Sequence, residues 1–318
     1  MAVSRLQLQG GARDLDAAGI TDPALRESYE VCRRLNAEHG KTYYLATLLL
    51  PSHKRPYVHA LYGFARYADE FVDSLTDPHP DALLPWAQRF LADLEAGSST
   101  DPVGSAMVDT VRRWDIPVEH VVAFLDSMAM DLTVTSYATY DDLRGYMHGS
   151  AAVIGLEMLP ILEPLDDAAA PAAAALGEAF QLSNFLRDVA EDLQRGRVYL
   201  PQEDLDRFGV TRADLAVAPA LPHVRELIAF EVRRCREIYA VAESGIDHLH
   251  PTSRDCIRTA LVLYGGILDE IERVDHDVLS ARVSVPLPKR LRVAVPGLVR
   301  AAAARREARS WRPLPGAA

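Results

Sequence analysis

The chain has 318 residues, 49% of them hydrophobic and 25% charged, with 34 Lys and Arg against 45 Asp and Glu and a net charge of −11. That balance excludes a general nucleic-acid binder, because no basic surface is available to track phosphates. The three cysteines (Cys32, Cys235 and Cys256) form no C-x-x-C pair, which excludes a disulfide framework or a cysteine zinc site and suits a reducing compartment. The N-terminus shows no basic start followed by an apolar core, and no run approaches about 18 apolar residues, so the expected location is cytoplasmic.

In chain order, residues 1–20 contain Gly10-Gly11 and little periodicity, and are expected to form a flexible arm. Thr21-Asp22-Pro23 is a helix start, with a capping residue before a first-turn proline; this helix should stop near Gly40. Lys41–Leu50 is a short apolar run closed by Pro51. A helix over Tyr62–Asp73 follows and ends at the Asp77-Pro78 and His79-Pro80 breakers. Helical patterns continue over 81–95, 103–114 and 118–132. Thr139–Leu159 opens with Asp141-Asp142, acids suited to a first helical turn. A helix carrying Gln181 should begin in the alanine-rich run after Pro171, and 202–222 reads as shorter pieces. Two long helices at about 222–247 and 252–280 precede a basic C-terminal helix over 289–318. No alternating β-rich run appears. The pattern predicts one all-α domain over 21–288 with a central pocket between its helices.

Two of these helices carry polar stripes. At about 100° per residue, Gln181, Asn184, Asp188 and Asp192 share one face, at i, i+3, i+7 and i+11. Tyr62, Arg66, Asp69 and Asp73 share another, while Leu61, Phe64, Ala68 and Val72 make the rest of that helix apolar. Such stripes cannot be buried dry, since an unpaired buried charge is very costly; the two are expected to face one cavity. Carboxylates one turn apart suit a hard divalent cation, and Mg²⁺ shares its shell with substrate phosphates. Arg66 and Arg187 offer bidentate phosphate contacts. With Tyr43, Tyr44, Phe64, Phe71, Tyr146, Phe180 and Phe185 expected as aromatic walls, the chemistry that fits is ionisation of an allylic diphosphate, its cation stabilised by ring faces.

These residues also carry a resemblance. Tyr146-Met-His-Gly-Ser150-Ala-Ala-Val-Ile-Gly155-Leu-Glu-Met158-Leu-Pro-Ile161 resembles the first signature of the squalene/phytoene synthase family. Leu176-Gly177-Glu-Ala-Phe-Gln181 through Arg197-Val-Tyr199-Leu-Pro201 resembles the second, and Asp69–Asp73 is similar to the first aspartate motif. The likeness runs from about Tyr29 to Arg290 and is greatest to bacterial phytoene-forming members. It implies a class I isoprenoid synthase helical fold and head-to-head condensation of two geranylgeranyl diphosphates to phytoene through a cyclopropylcarbinyl diphosphate. Mg²⁺, or Mn²⁺ in its place, is implied, and no NADPH. The resemblance assigns Asp69, Asp73, Asp188 and Asp192, with Asn184, to the metal. It assigns Tyr62, Arg66, Gln181, Asn184 and Arg187 to the diphosphates, Tyr146 to the ionising carbon, and Tyr264 and Arg282 to closing the site. His39, Thr42 and Tyr43 fall in an early substrate-binding motif.

Three departures stand out: Glu70 where many relatives have Asp, Gly40 where they often have Ser, and no hydrophobic C-terminal anchor. Squalene or dehydrosqualene synthesis from farnesyl diphosphate, and cyclisation of a single prenyl diphosphate, remain alternatives. A non-catalytic partner of carotenoid-pathway enzymes is disfavoured, because a scaffold has no need of clustered like charges. Asp269–Arg273 and Asp275–Asp277 read as a solvated acidic face, and His248 and His250 as helix-end caps. The stretch Arg282–Arg312 holds nine Lys or Arg against Glu307 alone. It reads equally as a solvated helix or as a peripheral contact with an anionic membrane.

Overall fold

The computed structural model describes residues 11–73 and 79–310, and every regular element among them is helical. The polypeptide begins with α1 (residues 11–17), α2 (Pro23–His39), α3 (Lys41–Thr47), α4 (Arg55–Asp73), α5 (Pro80–Ala96), α6 (Pro102–Trp114) and α7 (Val118–Met130). It continues with α8 (Tyr140–Met147), a π-helical turn (His148–Ala152), α9 (Val153–Leu162), α10 (Ala169–Gln194), α11 (Gln202–Phe208), α12 (Pro222–Ser244), α13 (Pro251–Arg273) and α14 (Leu287–Ser310).

The start signals act through their side chains. Asp22 accepts from the Leu25 amide at 2.8 Å and Asp101 from the Gly104 amide at 2.7 Å, each just before a first-turn proline. Thr139 and Asp142 form a reciprocal capping box on α8. His250 caps α13, its ring accepting from the Thr252 amide, while His248 pairs with Asp166 at 2.9 Å.

Four expectations are corrected. The arm expected over 1–20 is helical over 11–17, because Leu15, Ala18 and Ile20 are buried in the core and Arg55 reaches Asp14 at 3.2 Å; residues 1–10 lie outside the described residues. The helix expected over Tyr62–Asp73 begins seven residues earlier, at Arg55, and the breaker at Asp77-Pro78 lies outside the described residues. The segment Thr139–Leu159 is two helices joined by the π turn. The helix expected to reach about 280 ends at Arg273, where Asp275 and His276 take left-handed φ of 52° and 61°.

Two apolar clusters divide the molecule. One is built on α2, α4, α5, α6 and α7, the other on α10, α12 and α13, and Phe180 and Ile257 touch both. Between the clusters lies the cavity. Its walls come close because small residues of the π turn and α9 meet those of α10: a Cβ on Gly155 would sit 2.1 Å from the Ala173 carbonyl, and one on Gly177 2.1 Å from that of Ala151. Gly149 meets α7 in the same way, 2.3 Å from the Ala123 carbonyl. The stretch Gly149–Ala152 thus serves close helix packing, and the extra residue per turn of the π segment is accommodated there.

One buried charge site has no counterpart. Glu157 on α9 is 1% exposed, its Oε1 has no hydrogen-bond partner among the described residues, and burial alone pushes its carboxyl up to about 8. A folded-state pKa raised above the unfolded value means that stability falls as pH rises between the two. Glu157→Gln is therefore expected to melt higher than the parent at pH 8, its stability greater by up to about 4 kcal/mol. The gain should shrink towards zero at pH 4.5, as checked by thermal melts across that range.

Candidate active site

Helices α4 and α10 present their polar stripes to one cavity of about 1070 Å³. Tyr62, Arg66 and Asp69 line it from α4, and Gln181, Asn184, Arg187, Asp188 and Asp192 from α10. His39, Thr42 and Tyr43 line it from the α2–α3 junction, Tyr146 from α8, Tyr264 from α13, and Arg282 from the segment before α14. The side chain of Asp73 lies outside the described residues. The remaining site candidates, from His39 to Arg282, thus share one chamber.

Charge at the polar end is paired. Burial opposes ionisation of Asp188, yet bonds from two guanidiniums outweigh it and hold this carboxyl below the usual range. Arg187 donates from Nε at 2.7 Å, and Arg282, 94 residues along the chain, donates from Nε at 2.7 Å and from Nη2 at 3.1 Å. On α4, Arg66 reaches Asp69 at 2.6 Å and also pairs with Glu70. Glu70 does not line the cavity; its carboxylate braces Arg66 from the exposed side. Arg195 adds a further guanidinium, 3.5 Å from Asp192.

No three Asp, Glu, His or Cys side chains converge as a metal seat among the described residues. The donor chemistry on α10 nevertheless fits a hard cation. Asn184 Oδ1 is buried without a hydrogen-bond partner among the described residues, and Asp188 and Asp192 follow on the same face. The acidic run at Asp269–Arg273 is a network of ion pairs instead: Asp269 meets Arg236 at 3.1 Å and Lys289 at 2.9 Å, while Glu270, expected on a solvated face, is buried against Arg273.

The apolar end carries two aromatic groups. Tyr43 stacks on Tyr264 with centroids 4.6 Å apart, and Phe180 lies 4.4 Å from Tyr264. Opposite, Phe185 and Tyr199 stack at 3.9 Å, with Tyr146 5.9 Å from Tyr199. Burial, with neighbouring hydroxyls and Asp131, raises the Tyr146 pKa well above its ordinary value, so it stays protonated and donates to Asp131 Oδ2 at 2.9 Å. Three of the expected wall residues lie elsewhere. Phe64 packs on Trp86, Phe90 and Phe124, Phe71 packs on Tyr67 and Trp86, and Tyr44 stacks on His59 while accepting from Arg33. Their positions on the apolar faces of α3 and α4 direct them into the core.

Sequence reasoning missed Asp131, Tyr199 and Asn36 as lining residues. Tyr199 was visible inside the second signature. Asp131 gives no periodic signal at its helix end, and Asn36 is placed only by its neighbour: burial pushes His59 down to about 3, so the neutral ring accepts from Asn36 Nδ2 at 3.0 Å. Gly40 is also explained. A Cβ there would lie 2.6 Å from the Tyr62 ring and 2.7 Å from Asn36 Oδ1, so a serine has no room.

A family profile described as Squalene/phytoene synthase matches residues 36–289. Phytoene synthase of Arthrospira platensis is 39% identical over 285 residues, covering 85% of this chain and 92% of that one. The 15-cis-phytoene synthase of a Synechocystis species is 37% identical over 282 residues, covering 84% and 83%. Among solved structures, a dehydrosqualene synthase crystallised with a ligand superposes with a TM-score of 0.79 at 25% identity, covering 90% of this chain and 98% of that one.

Gly40→Ala is expected to push the Tyr62 ring out of the cavity wall and to lower turnover roughly tenfold. Its melting temperature should stay within a few degrees of the parent, which steady-state kinetics and a thermal melt together check.

Proposed function

The chain belongs to the squalene/phytoene synthase family, a family of prenyltransferases with the isoprenoid synthase helical fold, and from that premise we propose that it condenses two geranylgeranyl diphosphates into phytoene. The observation that carries this reading is the pairing, in one chamber, of a guanidinium–carboxylate end with an aromatic end. The two relatives named as phytoene synthases support the forty-carbon product.

In the first half-reaction one substrate loses diphosphate, and its allylic carbon bonds to the alkene of the second to give a cyclopropylcarbinyl diphosphate, with loss of a proton. In the second, that intermediate loses its own diphosphate, rearranges, and gives up another proton to form the new central double bond. No hydride enters, so the reaction needs no NADPH. Arg66, Arg187 and Arg282 hold the diphosphate oxygens. To do so, Arg187 and Arg282 exchange Asp188 for phosphate, a like-for-like swap of anions that leaves neither guanidinium unpaired. Bound Mg²⁺, or Mn²⁺, held by Asn184, Asp188 and Asp192 with Asp69 from α4, and with Asp73 where the family resemblance assigns it, would offset charge on the departing diphosphate. The rings of Tyr43, Phe180, Tyr264, Phe185, Tyr199 and Tyr146 present negative faces to the allylic cation and keep water from quenching it.

The test is a product assay on the purified protein with Mg²⁺, offering geranylgeranyl or farnesyl diphosphate separately, each with and without NADPH. A forty-carbon hydrocarbon without NADPH is expected. A thirty-carbon product would transfer the enzyme to squalene or dehydrosqualene synthesis, and cyclic products from one substrate would end the condensation reading. Asp188→Asn should lower turnover at least about a hundredfold with the fold intact by circular dichroism, because it strands Arg187 and Arg282 and removes a cation ligand. Near-parental rates would overturn the role given to this carboxylate.

A further inference from the structure

Helix α14 is built inside out for a helix on a protein surface. The residues it turns to the body are small: Ala294 and Ala301 are each 1% exposed, and Gly297 sits so close to Leu49 and Thr259 that a Cβ would meet each at 2.8 Å. The large apolar residues point outward. Among the described residues, five of the eleven exposed large hydrophobics lie on this one helix: Leu287, Leu291, Val295, Leu298 and Val299. Spaced i, i+4, i+8, i+11 and i+12, they occupy an arc of about 120°. The other six are scattered over four helices and two loops of the molecule, as is ordinary for isolated surface residues.

Charge around the stripe is one-sided. Lys289 and Arg300 are engaged by Asp269 at 2.9 Å and Asp255 at 2.7 Å, and Arg305 by the carbonyls of Leu49 and Leu50. Arg292 and Arg306 are exposed, meet no acid among the described residues, and fall along the open edge of the stripe. Glu307, the lone acid of α14, lies on the far side of the helix from it. The stripe also adjoins the cavity. Arg282, Val283, Ser284 and Val285 line the chamber immediately before α14, and Arg290 lines it from the first turn of the helix.

We propose that this face of α14 docks on an anionic lipid surface, with the apolar stripe in the acyl boundary and Arg292 and Arg306 at the headgroups. Outward apolar residues edged by unpaired arginines are the pattern of an interfacial helix, and no described helix is long and apolar enough to cross a membrane. The overall charge of −11 does not oppose this, since charges beyond about 8 Å of the contact are screened at physiological salt. Docking would set the rim at Arg282 beside the bilayer, where a prenyl chain resides.

The full-length protein is sedimented with vesicles of phosphatidylcholine alone and of phosphatidylcholine with phosphatidylglycerol. The protein is expected to pellet with the anionic vesicles. Combining Leu291→Ser, Val295→Ser and Val299→Ser should weaken partitioning at least tenfold. Arg292→Glu with Arg306→Glu should abolish the preference for anionic lipid, about fivefold for each guanidinium removed. Both sets replace exposed side chains, so the melting temperature and turnover on detergent-dispersed substrate should match the parent. Parental protein that stays in the supernatant, or a triple variant that pellets like the parent, overturns the proposal. So does a parental dimer in size-exclusion chromatography that the triple variant converts to monomer, because the stripe would then belong to a second copy.

Discussion

The structure depends on one clasp, the hold of two guanidiniums on the buried carboxylate of Asp188. A carboxylate taken out of water costs several kcal/mol unless it is paired and hydrogen-bonded. The partners come from different segments: Arg187 is its neighbour on α10, and Arg282 arrives from the segment that joins α13 to α14. Satisfying Asp188 therefore draws the 282–290 segment across the cavity and begins α14 at its rim. The same pairing supplies the site's function, since guanidiniums that hold a carboxylate are already oriented for a diphosphate. On α4 the arrangement is repeated on a smaller scale, with Arg66 held between Asp69 and Glu70. Glu70 keeps the charge of the aspartate it replaces and uses it to brace an arginine.

A second constraint is steric. The chamber's polar end needs α4 and α10 far enough apart to admit substrate, while its far side is closed by backbone-to-backbone contact. Gly155 against Ala173 and Gly177 against Ala151 leave no room for side chains where α9 and the π turn cross α10. The π turn before α9 gives up one regular turn to bring Gly149 onto α7, and its preceding helix delivers Tyr146 to the aromatic wall with Ser127 satisfying the Tyr146 carbonyl at 3.1 Å. Interiors packed to crystal density transmit such local choices over long distances. Tyr62 shows it at the opposite wall, where its ring lies on Gly40 and leans on Tyr43.

Much of this was legible in the residues. Periodicity at 3.6 located the two polar stripes, and burial cost required them to face a common space, which the fold supplies. Capping chemistry placed the start of α2, and first-turn acids that of α8, because both signals are local to one helical turn. The helix ends were less legible. The π turn conserves the helical pattern while changing its pitch, and α13 stops for a left-handed turn that no glycine or proline announces. The aromatic walls were read with the least success. A ring on a helix adjoining a cavity can point to the core or to the chamber, and a rotation of one residue decides which. Phe64 and Phe71 went to the core, whereas Tyr199, outside any helix, joined the wall.

By itself, then, the sequence determined the helical class, the two carboxylate stripes, their nearby arginines and the family, because each is written in spacing along one element or in contiguous motifs. Tertiary structure alone decided which charges pair, as with Arg282 on Asp188 and Tyr146 on Asp131, and why Gly40 has no side chain. It also decided that Leu15 is buried and that the apolar residues of α14 face outward. The physical reason is that periodicity defines a face of a helix but not what the face meets. That depends on the crossing of helices, and the crossing follows from the small residues at which their backbones touch.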